Sequence, residues 1–138
     1  MNKIIIGDAD SLVALADNHD ANYKKAAQIS QGFISQGFRV IYPNTAILEA
    51  ITALSRAKNL PEKAKLINKQ YLLGAFSVEY INSEIQTKAA EIFKTKSQSK
   101  KNTIFDAVVA DTAKQLEADF IFSFDDWYPK LGFKLAGE

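Results

Sequence analysis

The sequence predicts an α/β fold, a parallel sheet of four to five strands with helices on both faces. Two observations predict it. Short apolar runs recur along the chain, and each is followed by a longer stretch with helical start and stop residues. Strands that alternate with helical segments build a parallel sheet covered on both sides. The 138 residues fit one domain, 1–138, with enough chain for a substantial core. No internal repeat, linker or low-complexity segment interrupts it.

Residues 3–7 read as a buried strand and 10–16 as a short helix. Asp20 is placed to cap a second helix running to about Gln36, where Gly37 is the stop signal. Phe38 to Tyr42 is the second strand, closed by Pro43, and Asn44 or Thr45 caps a helix to about Lys58. Pro61 falls in the first turn of the next helix and Gly74 ends it. Phe76 to Ile81 alternates as a third strand, and Asn82 or Ser83 caps a helix through about Thr95. A lysine-rich linker leads to a helix from Ile104 to about Leu116. Asp119 to Phe124 is the fourth strand, and Phe133 to Leu135 is a candidate fifth.

Composition narrows the function. With no cysteine, disulfides, thiolate ligands and cysteine nucleophiles are excluded. No apolar run approaches the ~20 residues of a membrane span, and the N-terminus enters a strand without a signal peptide. A cytoplasmic protein with no membrane partner is expected. The net charge of +1 lacks the basic excess of dedicated nucleic-acid modules. Charge is uneven, however. Lys94, Lys96, Lys100 and Lys101 cluster ahead of Asp106, either as a solvated helix end or as a phosphate-steering patch.

Four carboxylates sit where a strand ends or a helix begins: Asp8, Glu49, Asp106 and Asp125. A carboxylate at a strand's carboxyl end faces the crevice where open α/β sheets bind ligands. Several gathered there repel one another unless a cation or shared protons neutralise them, which suggests a divalent-metal site. Asp8 and Asp10 compete to cap the first helix; Asp10 is the better placed, leaving Asp8 free. Asp106 fits a capping box with Thr103, yet shares the apolar stripe of Val109, Ala110 and Ala113. Asp111 shares a face with Lys114 and Gln115 and reads as surface. Asp125 and Asp126 follow the last long strand, with Ser123 alternating onto the same side as Asp125. Glu49 is weak from pattern alone, because its face also carries Thr45, Thr52 and Arg56. His19, the only histidine, lies in a turn-like segment and reads as surface.

In order along nearly the whole chain, four segments resemble the PIN-domain nucleases, in particular the VapC-like toxins of type II toxin–antitoxin pairs. They are Ile4–Leu15 with Asp8, Asn44–Ala50 with Glu49, Phe105–Ala113 with Asp106, and Phe122–Tyr128 with Asp125 followed by Leu131–Phe133. Ala9 and Asp10 depart from the family's usual Thr and Ser or Asn, and Asp111 replaces a usually small residue. The resemblance implies a metal-dependent endoribonuclease with Asp8, Glu49, Asp106 and Asp125 as catalytic residues. Asp8, Asp106 and Asp125 would ligate Mg²⁺ or Mn²⁺, with Asp10, Ser123 and Asp126 around them. Arg56, Lys100 and Lys101 are candidate RNA contacts. A cognate antitoxin and a homodimer are implied by the family alone. Two other readings stay open: a non-catalytic PIN-like scaffold, and a haloacid-dehalogenase-like phosphatase using Asp8-Ala9-Asp10.

Overall fold

The computed structural model describes residues 2–138. Its elements are β1 (Ile4–Gly7), α1 (Ala9–Ala16), α2 (Tyr23–Ser35), β2 (Arg39–Pro43), α3 (Asn44–Ser55), α4 (Pro61–Leu72), β3 (Ser77–Glu79), α5 (Ser83–Lys96), α6 (Ile104–Gln115), β4 (Phe120–Phe122) and α7 (Trp127–Lys130). The sheet is parallel throughout, in the order β3-β2-β1-β4. Ile6 pairs with Ile41 on one side and with Ile121 on the other.

That order fixes which helices cover which face. From β1 to β2 to β3 the chain steps in one direction, and right-handed crossovers put α1–α4 on one side. From β3 to β4 it steps back past β1, so α5 and α6 cross the other side. The core follows the period of two along each strand. Ile5 and Phe122 pack with Ala14, Ala26 and Ile29 of α1 and α2. Tyr42 packs with α1, α3 and α4. On the opposite face Ile6, Ile41 and Ile121 meet Val109, Ala110 and Ala113 of α6. The direction of winding therefore reverses between β1 and β4, and the carboxyl ends of those strands flank the topological switch point.

Several expected boundaries move. Phe133 to Leu135 forms no strand; Leu135 makes a single parallel bridge to Ile121. The third strand shortens to Ser77–Glu79 and the fourth to Phe120–Phe122. The caps of α2 and α3 also differ. Asp20 accepts from Asn22 N at 2.8 Å in the preceding turn, and Asn22 itself occupies the cap position. Pro43 occupies the cap of α3, while the Asn44 side chain accepts from Ile81 N at 2.9 Å and ties α3 to the segment after β3. Asn82 caps α5 as expected, and Gly37 and Gly74 take positive φ just past α2 and α4.

Candidate active site

Asp8 stands at the tip of β1, the strand next to the switch point. Its backbone N–H donates to Phe122 O at 3.1 Å, locking it against β4. Its Oδ1 accepts from Ala9 N at 2.7 Å, and its Oδ2 accepts from the Tyr128 hydroxyl at 2.6 Å. Asp8, not Asp10, is thus the cap of α1, contrary to the expectation above. The reason lies across the sheet. Asp10 Oδ2 accepts from Ser123 Oγ and from Phe124 N, each at 2.8 Å, so this carboxylate braces α1 against the end of β4. Asp10 Oδ1 is buried with no hydrogen-bond partner.

Asp106 arrives from the other face. Thr103 Oγ1 accepts from Asp106 N and Asp106 Oδ2 accepts from Thr103 N, a capping box that holds the carboxylate at the first turn of α6. Its Oδ1 lies 3.4 Å from the Tyr128 hydroxyl, so one tyrosine bridges the first and third acids. Asp125 follows β4; its N–H donates to Ser123 Oγ and its Oδ1 accepts from Trp127 N at 2.9 Å. Glu49 comes from the second turn of α3, half-buried, with Oε1 lacking any partner.

Electrostatics links these groups. Asp8 is held well above the usual carboxylate range, by burial first and then by the charges of Asp10 and Asp106; the Tyr128 hydrogen bond opposes the shift. Burial raises Asp10 and Asp106 too, and Asp125 adds repulsion to both. Glu49 is pushed up to about 7 by burial, then by Asp106 and Asp10. Asp10, Asp106 and Glu49 all raise Asp8, and Asp125 raises Asp10 and Asp106, so the four expected acids and Asp10 form one interacting set.

The remaining expected positions divide. Ser123 is buried between Asp10 and Asp125, inside the site. Asp126 is not part of it: its side chain is 87% exposed and lies 3.8 Å from Lys130 one helical turn on. Asp111 is not a surface residue. It is buried on α6, where the α5 helix covers the face it shares with Gln115, and Oδ2 has no partner. Arg56, Lys100 and Lys101 are exposed, and none forms an ion pair among the described residues. His19 is exposed, as expected.

Sequence reasoning missed two tyrosines and a glycine. Tyr128 is fully buried beneath Asp8. Tyr42 is buried beside β1, and burial with the charges of Asp10 and Asp8 pushes its hydroxyl up to about 12. Gly7 makes room for it: a Cβ there would collide with the Tyr42 ring. The available signal was parity, since Tyr42 follows Val40 onto the face that Gly7 shares with Ile5.

Among the described residues, no three acidic or imidazole side chains are spaced to hold a metal ion as they stand. The chemistry of the donors nevertheless suits one. The set is all carboxylate, its members raise one another's pKa, and Asp10 Oδ1 and Glu49 Oε1 are buried with unspent lone pairs.

A family model described as PIN domain matches residues 5–134. The chain belongs to the PIN-domain family, and that membership supports a nuclease-type hydrolase activity in broad terms. Among solved structures, a sarcin-ricin loop cleaving toxin, VapC20 of Mycobacterium tuberculosis, is similar in fold. The TM-score is 0.81 at 19% identity, covering 94% of this chain and 95% of that one. No curated protein matches by sequence. No helix among the described residues is long and apolar enough to cross a membrane.

Proposed function

We propose that the protein is a Mg²⁺- or Mn²⁺-dependent endoribonuclease, the toxin of a toxin–antitoxin pair. One observation carries the reading. Asp8, Glu49, Asp106 and Asp125 come from four separate segments to one end of the sheet, three of them at the β1/β4 switch point or across it on α6, and burial and mutual repulsion raise the pKa of Asp8, Glu49 and Asp106. The likeness in fold to a sarcin-ricin loop cleaving toxin supports an RNA substrate and a toxin role; a cognate antitoxin and a homodimer belong to this reading through the family resemblance alone.

In this reading Asp8, Asp106 and Asp125 would hold the ion, which would neutralise the cluster and supply Lewis-acid activation of water and phosphate. Tyr128 orients Asp8 and Asp106 together through its hydroxyl. Asp10 and Ser123 brace the end of β4 and so set the position of Asp125. Glu49, near 7 and with Oε1 free, is suited to take a proton from the attacking water at neutral pH. Lys100, Lys101 and Arg56 are free to meet phosphates.

The test uses purified protein with single-stranded and structured RNA in Mg²⁺ or Mn²⁺. Cleavage should vanish in EDTA, and Asp8→Asn and Glu49→Gln should each slow it by about 100-fold or more. Metal binding without cleavage of any RNA would favour a scaffold role. Hydrolysis of a small phosphomonoester instead would favour the phosphatase.

A further inference from the structure

Beside the acidic cluster lies a cleft that the reaction itself does not use. It measures about 390 Å³ and is lined by Thr45, Leu48, Glu49, Thr52, Ala53 and Phe105. Two of its apolar members are open to solvent: Phe105 is 43% exposed and Leu48 is 61% exposed. Phe105 directly precedes Asp106. The capping box that fixes Asp106 inward also fixes Phe105, which points about 100° away around the helix. Glu49 is shared between the cleft and the acid cluster. Thr45 and Glu49 line it through other atoms, since the Thr45 hydroxyl and Glu49 Oε1 are buried without a hydrogen-bond partner. Lys100 and Lys101 stand exposed in the turn that leads into Thr103.

We propose that this cleft is a nucleobase site, in which Phe105 stacks an unpaired base of the RNA next to the scissile phosphate. The inference rests on the nuclease reading and adds to it a subsite: a stacking position on Phe105 for one unpaired base beside the acids. An open aromatic face on a rigid helix start offers a stacking surface at little ordering cost, and every base has a face to stack on it. A base inside a duplex is already stacked and cannot reach the ring. The lysines before the helix supply the positive charge that a phosphate chain entering an acidic site requires. A protein segment seated here would bring no such need, so an RNA strand is the better match to an apolar wall that includes Glu49 and has exposed Lys100 and Lys101 shortly before Phe105 along the chain.

The full-length chain is tested in an Asp8→Asn background with Mg²⁺, so that RNA is bound and not consumed. The probe is a short single-stranded RNA carrying the fluorescent base aminopurine. Binding should quench the fluorescence. Phe105→Ala should abolish the quench and weaken affinity by about 5- to 100-fold, while Phe105→Trp retains both. The same label held in duplex RNA should bind more weakly and show no quench. Unchanged affinity and quench in Phe105→Ala would overturn the site, as would a change confined to the sedimenting mass, which would make the cleft a protein interface. Cleavage by the wild-type chain is followed in parallel. Cleavage with no effect of Phe105 sinks the base site alone. Binding that depends on Phe105, with no cleavage, sinks the nuclease reading alone. An absence of RNA binding sinks both.

Discussion

Tyr128 places one hydroxyl between two buried carboxylates, 2.6 Å from Asp8 Oδ2 and 3.4 Å from Asp106 Oδ1. Removing that hydroxyl leaves Asp8 Oδ2 buried without its donor, a cost of about 1–3 kcal/mol. The sign with pH follows from the raised Asp8. Its neutral form is favoured in the fold, so its contribution is full below the ordinary value of 3.8 and is lost as pH rises through the folded value. Tyr128 limits that loss, since its bond favours the charged form. Tyr128→Phe should therefore lower the urea midpoint at neutral pH, with the gap to wild type closing in acid; equal midpoints at neutral pH would rule the bond out as a stabiliser. At this scale the sequence disclosed where the acids fall better than what surrounds them. Asp8, Asp106 and Asp125 were legible because each abuts a strand end or a helix start. The exchange of roles between Asp8 and Asp10 was not, because the partners of Asp10, Ser123 and Phe124, lie 113 and 114 residues away, just past β4. Tyr128 was hidden for the same reason, 120 residues from the acid it serves.

Each helix start seen here is set by a local competition for the first free N–H groups. Thr103 and Asp106 win it at α6 with side chains three residues apart, which a sequence displays openly. At α3 the winner is geometric: Pro43 occupies the cap, and Asn44 is drawn off to Ile81. Strand ends behave similarly. Phe133 to Leu135 has strand composition, but the segment bonds to the sheet only at Ile121, whose N–H donates to Lys134 O and whose carbonyl accepts from Ala136 N, so pairing and not propensity decides it. The surface reading of Asp111 failed at this scale too. Lys114 and Gln115 mark its side of α6 as polar, yet α5 packs over that side through Ile85 and Ala89 against Ala107 and Val108. Burial raises the Asp111 carboxyl, with Lys88 and Gln115 opposing it. Its contribution to stability is accordingly full below 3.8 and lost as pH rises through the raised value. Asp111→Asn removes the charge while keeping the shape. It should stabilise the protein near neutrality, a gain that disappears at low pH. Chemical denaturation at both pH values checks it, and a loss of stability near neutrality would mean that Lys88 outweighs burial.

Across the whole molecule, the same winding that makes the fold also concentrates negative charge. Stepping from β1 to β3 on one face and returning to β4 on the other brings acids from α1, α3, α6 and the segment after β4 to one edge. The sequence made this architecture legible because strands and helices alternate with clear punctuation at Gly37, Pro61 and Gly74. The cost is self-repulsion. Asp8, Asp10, Glu49 and Asp106 are all raised, each by burial first. For Glu49 the stabilising share is full below 4.5 and lost as pH rises through about 7. The metal-free protein should thus melt at a higher temperature in mild acid than in mild base, and Glu49→Gln should flatten that slope. A divalent cation that binds only the folded, deprotonated cluster reverses the trend. At about 100 times its Kd it contributes ~2.7 kcal/mol, or an increase of about 10 °C in Tm for a domain of this size. Thermal melts with Mg²⁺ and with EDTA should separate widely at about pH 8 and converge at about pH 5, where protons hold the cluster in the ion's place. An equal Mg²⁺ effect at both pH values would place the binding outside these carboxylates, and no effect at either would leave the cluster without an ion.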